Sequence, residues 1–270
     1  MALFLTILGC SSATPTSSRH PSAFALKSNR RKEYYLIDCG EGTQTLLRRM
    51  GIRMQRVSRI FISHLHGDHY LGLMGFLSTQ NLMGRQEELH IYAHKDLEKI
   101  IKLHLRVEKT SLSYPLVFHT IKKKKNKAIV LYEDATMKII TFPLLHSIAS
   151  NGFLFKEKRS TAKKKVRQDD CFSFAYCSDT AYTETIIPYI KDVDMLYHEA
   201  TFMEDMLKIA GEKYHSTARQ AAEIARLAKV KKLLIGHYSA RYTDVTPLLN
   251  EAKDVFPETF AAVEGVIMKI

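Results

Sequence analysis

The chain has 270 residues, 46% of them hydrophobic, which supports a sizeable core in one large domain or two small ones. No apolar run of about 18 residues could span a membrane, and the first eight residues lack the basic flank and the length of a signal peptide. We therefore expect a cytoplasmic protein without membrane association. The cysteines form no CxxC pair, which favours free thiols at Cys10, Cys39, Cys171 and Cys177.

The formal net charge is +12, and basic residues are concentrated in two segments, 122–127 and 156–167. Such a balance attracts polyanions, because neutralisation of phosphates supplies most of the sequence-independent affinity for nucleic acid. A solvated basic surface that maintains solubility would have the same composition. Charge alone therefore indicates a nucleic acid partner without requiring one.

Short β-rich segments alternate along the chain with segments of helical spacing. The predicted strands cover residues 3–8, 22–27, 34–38, 59–63, 90–93, 116–121, 129–132, 137–142, 173–177, 194–198, 232–236 and 261–268. The predicted helices cover residues 41–50, 71–83, 96–107, 184–191, 218–229 and 245–256. Gly51 ends the first helix, and Thr217 with Gln220 predicts a capping box for the helix that begins at residue 218.

The strands come in two sets, each followed by helices, which predicts an α/β fold of two facing sheets covered by helices on their outer sides. No long linker divides the chain, so we expect residues 1–270 to form a single domain. Residues 156–170 are almost purely polar and basic, without an apolar period, and predict a short flexible segment.

Four potential metal ligands follow the apolar run at residues 59–62 within six positions: His64, His66, Asp68 and His69. If the segment stays extended, His64 and His66 point to one side and can share an ion. Asp68 and His69 lie beyond a glycine turn and can serve a second ion about 3.5–4 Å away. The alternative is a charged loop with ordinary histidines. Four ligand-type residues at this spacing favour a metal site.

A site with two ions needs further ligands, and three more polar residues follow apolar strands. They are His146, Asp179 and His237. The carboxyl ends of strands are where sheets open into clefts. Taken singly, each is more often a satisfied structural residue than a ligand.

Residues 64–69 match the HxHxDH signature of the metallo-β-lactamase superfamily. Further segments resemble the ribonuclease Z family, endonucleases that mature the 3′ end of transfer RNA. These segments are residues 61–73, 37–41, 198–202, 214–217 and 236–242. The resemblance covers nearly the whole chain and implies a four-layer αββα sandwich with a binuclear metal cleft.

The resemblance implies two Zn²⁺ ions per chain. One is expected on His64, His66 and His146, the second on Asp68, His69 and His237, and Asp179 is expected to bridge them. It further implies a hydroxide that attacks the scissile phosphodiester in line, with Asp68 orienting the water, and a product with a 3′-hydroxyl. Manganese and cobalt suit the same ligands, so the metal itself stays open.

By the same resemblance, His215 is expected to protonate the departing ribose oxygen, with Glu199 as its orienting carboxylate. On the residues alone, the favoured role of His215 is to help cap the helix that follows it. Ser239 and Arg241 are expected to bind phosphate or the RNA 3′ end, although Arg241 could equally form a structural ion pair.

The loop at residues 14–20 corresponds to a family loop that reads the acceptor end, and it offers Thr16 and Arg19 for substrate binding. The resemblance implies a homodimer in which the arm of one subunit serves the active site of the other. Many members of the family carry this arm as a glycine- and proline-rich insertion that grips the tRNA elbow. Here the basic segment 156–170 occupies that place.

The expected function is therefore zinc-dependent removal of the 3′ trailer of precursor tRNA. One alternative is a small-molecule hydrolase of the same fold, acting on phosphodiesters, sulfate esters, thioesters or lactones. A second alternative is a non-catalytic RNA-binding module that has kept the fold.

Overall fold

The computed structural model describes residues 2–122, 127–158 and 172–270. Its strands form two seven-stranded sheets, built from β1 (Leu3–Gly9), β2 (Ala23–Ser28), β3 (Tyr34–Ile37), β4 (Val57–Phe61), β5 (Leu89–Ala93), β6 (Leu116–Thr120), β7 (Ile129–Glu133), β8 (Met137–Pro143), β9 (Asn151–Glu157), β10 (Ser173–Cys177), β11 (Met195–Glu199), β12 (Leu233–Gly236), β13 (Thr259–Ala261) and β14 (Ile267–Lys269). The first sheet has the order β14-β1-β2-β3-β4-β5-β6 and the second β13-β12-β11-β10-β9-β8-β7.

The α-helices of the described residues are α1 (Thr43–Arg49), α2 (Gly67–Tyr70), α3 (Gly72–Leu82), α4 (Lys95–Val107), α5 (Ile187–Ile190), α6 (Leu207–Glu212), α7 (Ala218–Leu227) and α8 (Thr246–Val255). Three short 3-10 helices cover Met54–Arg56, Glu184–Ile186 and Glu204–Met206. None of the helices in the described ranges is long and apolar enough to cross a membrane. The predicted capping box on α7 is confirmed, with both Thr217 and Gln220 hydrogen bonds formed.

Buried aromatic residues fill the space between the two sheets. The ring of Phe24 in the first sheet lies 5.5 Å from Tyr176 in the second, and Phe61 lies 5.6 Å from Phe153. A separate apolar cluster packs the outer face of the first sheet against residues of α1, α3 and α4. The predicted architecture of two facing sheets covered by helices is therefore confirmed.

Each sheet is antiparallel in one half and parallel in the other. β3 to β6 run parallel in the first sheet, and β10 to β13 run parallel in the second. Parallel neighbours end at the same edge of a sheet, so the residues that follow them are brought together. The two parallel halves place the segments after β3, β4, β10, β11 and β12 around one cleft.

The prediction of a single strand at residues 261–268 is wrong, because this part of the chain forms two short strands in different sheets. β13 pairs with β12 in the second sheet, whereas β14 pairs with β1 in the first. The intervening turn contains Gly265 at a φ of 84°, and its N–H donates to Ile7 of β1. The apolar pattern runs through this turn because both short strands are partly buried, and it therefore hides the change of sheet.

β9 has no counterpart among the predicted strands. Phe153, Leu154 and Phe155 are all buried because β9 lies between β8 and β10 with both faces covered, so no alternation marks it. Lys156 and Glu157, assigned to the flexible basic segment, complete this strand. Residues 159–170 of that segment, and residues 123–126 of the other basic segment, lie outside the described residues.

Two smaller differences concern helices of the second half of the chain. The predicted helix at 184–191 is a 3-10 turn followed by the four-residue α5, and α6 was absent from the predicted elements. The strand before His146 ends at Pro143, so that histidine lies in the loop between β8 and β9.

Candidate metal centre

The segment after β4 places its ligands on two sides of a turn. His66 keeps an extended backbone, with φ −76° and ψ 146°, and precedes the short helix α2 that carries Asp68 and His69 in its first turn. The Nε2 atom of His64 lies 3.1 Å from Nδ1 of His66, as the extended spacing predicts. The loop therefore separates its four ligand atoms into two pairs.

The first ligand set joins the His64–His66 pair to the second sheet. Nε2 of His146 lies 3.1 Å from Nδ1 of His66. Oδ2 of Asp179 lies 3.5 Å from Nε2 of His64. Three imidazole nitrogens and one carboxylate oxygen thus face a common point.

The second set joins Asp68 and His69 to the same second sheet. Nε2 of His69 lies 3.4 Å from Oδ2 of Asp68 and 3.3 Å from Oδ1 of Asp179. Nε2 of His237 lies 3.3 Å and 3.2 Å from the same two oxygens. Asp179 therefore offers one oxygen to each set.

These atoms fit a divalent metal. Ligands around a tetrahedral ion at bond lengths of about 2.0–2.1 Å lie about 3.3–3.4 Å apart, close to the separations in both sets. Nε2 of His69 and Oδ1 of Asp179 are buried and lack a hydrogen-bond partner among the described residues. Buried polar atoms are rarely left unpaired, so this pair is explained by a cation between them.

Two ligands of the centre have protonation states that suit a metal. Burial lowers the pKa of His64 to about 4, which keeps its imidazole neutral and its lone pair available. Burial alone would raise the pKa of Asp179, but the surrounding His237, His69 and His64 hold it well below its usual range. The buried carboxylate is therefore ionised, as a ligand must be. At His69, burial alone would lower the pKa, but the surrounding carboxylates raise it well above its ordinary value, so an ion must displace a proton there.

Asp38, which follows β3, supports both sets and was not among the predicted site residues. Its Oδ2 accepts from Nδ1 of His69 at 2.8 Å, from the hydroxyl of Tyr176 at 2.7 Å and from Oγ of Ser63 at 2.9 Å. Ser63 in turn lies 3.0 Å from Nδ1 of His64. A carboxylate directly after an apolar strand is the signal that could have identified it.

His146 is oriented by a backbone group. The carbonyl of Tyr214 accepts from its Nδ1 at 2.9 Å, so Nε2 is left for the ion. The side chain of His146 is 2% exposed. The loop between β8 and β9 thus presents one fixed nitrogen to the centre.

His215 lies beside the centre and contacts Glu199. Nδ1 of His215 lies 2.8 Å from Oε1 of Glu199. Burial alone would lower the pKa of His215, but the charge and hydrogen bond of Glu199 raise it to about 9. His215 is therefore protonated at neutral pH, and it does not cap α7, since Thr217 does so.

Glu199 is saturated with hydrogen bonds, which argues against a role as a metal ligand. Its Oε1 also accepts from the backbone N–H of Thr180, and its Oε2 accepts from the N–H and the hydroxyl of Thr201. The Thr201 hydroxyl lies 3.0 Å from Nδ1 of His237. Glu199 therefore holds His215 directly and a member of the second ligand set through Thr201.

A cleft of about 530 Å³ opens onto the centre beside His215. Ser239 and Arg241 line it, and Nε of Arg241 donates to Oγ of Ser239 at 3.1 Å. The guanidinium lies 5.0 Å from the ring of Phe202 and pairs with no carboxylate among the residues that the structure describes. Arg241 therefore forms no structural ion pair with the described residues.

Thr16 and Arg19 do not line this cleft. Oγ1 of Thr16 accepts from the N–H groups of Ser18 and Arg19, and the Arg19 guanidinium donates to the carbonyl of Tyr242. These contacts lie within the protein, and Nε of Arg19 is buried without a hydrogen-bond partner among the described residues. The part of the loop that borders the cleft is Ser12, Ala13 and Thr14. The N–H of Ala13 donates to Asp68 at 2.8 Å.

Comparison with known proteins adds a family to this geometry. A family model described as the beta-lactamase superfamily domain matches residues 14–238. Ribonuclease Z of Azobacteroides pseudotrichonymphae is 42% identical, with 98% of both chains covered. Ribonuclease Z of Phocaeicola vulgatus is 40% identical, covering 98% of this chain and 96% of that protein.

The crystal structure of human tRNase Z, short form, aligns with a TM-score of 0.82 and 28% identity over 98% of each chain. The alignments with the two bacterial relatives extend over 287 and 301 residues. Since this chain has 270 residues, both relatives contain residues that it lacks.

Replacing Asp38 should weaken metal binding without removing a ligand. Asp38→Asn removes the charge that holds His69 and, through Ser63, His64, and outer contacts of this kind contribute about 10–100-fold in metal affinity. Competition with a fluorescent chelator measures the change. Asp192→Asn, an exposed carboxylate, is the control, and equal affinities in both variants would contradict the assigned role of Asp38.

Proposed function

The chain belongs to the ribonuclease Z family, and from this premise we propose that it is an endoribonuclease that cleaves the 3′ trailer from precursor tRNA. One observation carries the proposal: His215, held by Glu199, lies beside two ligand sets that share Asp179. Phosphodiester hydrolysis needs both a stabilised phosphoryl group and a proton donor for the leaving oxygen.

We propose Zn²⁺ as the metal, with two ions per chain. His64, His66 and His146 would hold one, Asp68, His69 and His237 the other, and Asp179 both. Five imidazole nitrogens among seven ligands support zinc over the oxygen-preferring magnesium and calcium. When bound, such ions supply Lewis acidity that draws charge from phosphoryl oxygens and makes water a stronger nucleophile at neutral pH.

The residues of the chain supply the remaining chemistry. His215 donates a proton from Nε2 to the departing 3′ oxygen of the ribose, while Glu199 holds the ring through Nδ1. Asp68 accepts a hydrogen bond from the attacking water and is itself positioned by the N–H of Ala13. Ser239 and Arg241 bind the phosphate backbone of the upstream strand, whereas Thr16 and Arg19 act indirectly by holding the loop that borders the cleft.

The charge of the chain supports RNA over a small-molecule substrate. A net charge of +12 raises the local concentration of a polyanion. Binding of a small ester does not require such a charge. A non-catalytic module would not need a proton donor beside the metal centre. Substrate binding that weakens steeply with salt supports the RNA reading, because phosphate contacts release counterions.

Metal-loaded protein should convert a precursor tRNA with a 3′ extension into a tRNA that ends in a 3′-hydroxyl and a trailer with a 5′-phosphate. His64→Ala and Asp179→Ala should abolish cleavage, since each removes a group from a ligand set. Gel analysis of end-labelled RNA identifies both ends. Wild-type protein that binds the precursor but leaves it intact would contradict the proposal.

The rate of cleavage should depend on the pKa of His215. The imidazole donates a proton only when protonated, so kcat/KM falls as the pH rises through this pKa. Glu199→Gln removes the charge that raises the pKa, and the alkaline limb should move to lower pH by about one unit or more. His215→Ala should lack the limb altogether.

The profile is measured as kcat/KM from about pH 6 to pH 10, a range that brackets the imidazole. Glu258→Gln, which removes an exposed carboxylate outside the cleft that contains His215, is the matched control and should keep the limb in place. Identical limbs in wild type and both His215→Ala and Glu199→Gln would contradict the assignment.

We also propose a homodimer formed through α4. Leu97 and Ile101 of this helix are buried against the first sheet, yet Ile100, Leu103 and Val107 are 36%, 51% and 73% exposed on a second face. A helix in contact with solvent normally places polar residues there. An apolar stripe of this kind is explained by a second copy of the chain.

Leu103→Glu should place a charge in the centre of this stripe and convert the protein to monomers, as measured by sedimentation velocity. Val263→Glu is the control, because Val263 is also 51% exposed but does not belong to α4, and this variant should leave the assembly unchanged. A monomeric wild type, or a Leu103→Glu variant that still dimerises, would contradict the proposal.

We propose the cytoplasm as the location, where precursor tRNA would be available. Cys10, Cys39 and Cys177 are free and buried, and burial raises the pKa of the Cys10 and Cys39 thiols to about 12. Such thiols stay protonated and unreactive. Recovery of the protein from a secreted fraction of its cell would overturn this.

A further inference from the structure

A second cavity borders the metal centre and shares His146 and Ser147 with the cleft that contains His215. It has a volume of about 250 Å³ and extends along residues 141–151 toward Lys122 and Lys127. This volume is below the roughly 300–1,000 Å³ of pockets that enclose drug-sized ligands. The cavity therefore suits one small unit of a larger substrate.

The lining of this cavity is basic and apolar. Lys122, Lys127 and His94 contribute to it, and no aspartate or glutamate occurs among its described lining residues. Leu145 and Ile148, on either side of the ligand His146, are 46% and 39% exposed. These apolar side chains are exposed beside the proposed metal ligand, and the lysines lie farther along the cavity. This arrangement matches a nucleotide whose base packs on the apolar side chains and whose next phosphate contacts the lysines.

The direction of the substrate follows from the proposed reaction, on which this inference rests. Water forms a new P–O bond, the bond from phosphorus to the 3′ oxygen breaks, and His215 gives that oxygen its proton. The upstream strand must therefore leave the centre on the side of His215. The trailer stays bonded to phosphorus through its 5′ oxygen and needs a different path.

We propose that this second cavity, which we call the trailer pocket (His94, Lys122, Lys127, Leu145 and Ile148), binds the first nucleotides of the 3′ trailer. The base of the first nucleotide packs on Leu145 and Ile148. The next phosphates of the trailer contact Lys122 and Lys127. Apolar and ionic contacts of this type do not distinguish one base from another.

The test compares precursors whose trailers have one nucleotide with precursors whose trailers have four. Only the longer trailer places further phosphates beyond the scissile one. Wild-type enzyme should cleave the longer trailer with a higher kcat/KM, and the ratio of the two values should fall about tenfold in a Lys122→Ala, Lys127→Ala double variant, because two phosphate contacts are lost. Leu145→Ser should lower the kcat/KM for both trailers.

Lys99→Ala with Lys253→Ala removes the same charge from two exposed sites outside the pocket and should preserve the wild-type ratio. A wild-type ratio near one, or a ratio unchanged in the Lys122 and Lys127 variant, would overturn the trailer pocket while leaving the endonuclease assignment intact. Absence of cleavage for every precursor would instead overturn the proposed function, and this inference with it.

Discussion

The buried carboxylate of Asp179 is the constraint on which the site depends. An ionised carboxylate inside a protein is costly unless opposite charge compensates it. Here its two oxygens face two sets of nitrogen and oxygen ligands, one built on His64, His66 and His146 and one on Asp68, His69 and His237. The neutral His64 and the unpaired atoms of His69 and Asp179 are what a centre prepared for cations requires.

The fold explains how residues so distant in sequence reach one point. The parallel halves of the two sheets end at the same cleft, and the ends of β3, β4, β10, β11 and β12 contribute polar side chains there. Asp38 and His237 both adopt left-handed backbone conformations, with φ of 53° and 61°, directly after β3 and β12. Such conformations are uncommon for residues other than glycine and occur where surrounding contacts fix the backbone. At both positions they turn the side chain toward the centre.

Much of the site follows from local sequence, because the ligand loop combines a two-residue spacing with a glycine turn and needs no tertiary information. The ends of apolar strands predict Asp179 and His237, and the parallel topology of β10 to β12 justifies this rule. His146 is predicted in the same way but lies in the loop after β8, which is antiparallel to both of its neighbours. The same rule would have found Asp38. That rule identifies Asp38 only as a candidate, because its role in supporting the ligands depends on contacts with Tyr176 and Ser63, which are far from it in sequence.

The strands and helices that bury only one face are predictable, because their apolar residues recur with a regular period. Elements without this period are harder to predict. β9 is covered on both faces and shows no alternation, and the C-terminal strands exchange sheets within one apolar stretch. The residues Thr16 and Arg19 were predicted by position in a family loop, yet their hydrogen bonds lie within the protein. Side-chain direction in a loop depends on tertiary contacts, and the sequence alone does not encode it in a readable pattern.

The account of a shared carboxylate is tested most directly by the metal content of the purified chain. Elemental analysis after loading and removal of free metal should give two divalent ions per chain for the wild type and a loss of both tightly bound ions in Asp179→Ala. One ion per wild-type chain, or two ions retained by Asp179→Ala, would contradict a centre in which both ligand sets depend on Asp179.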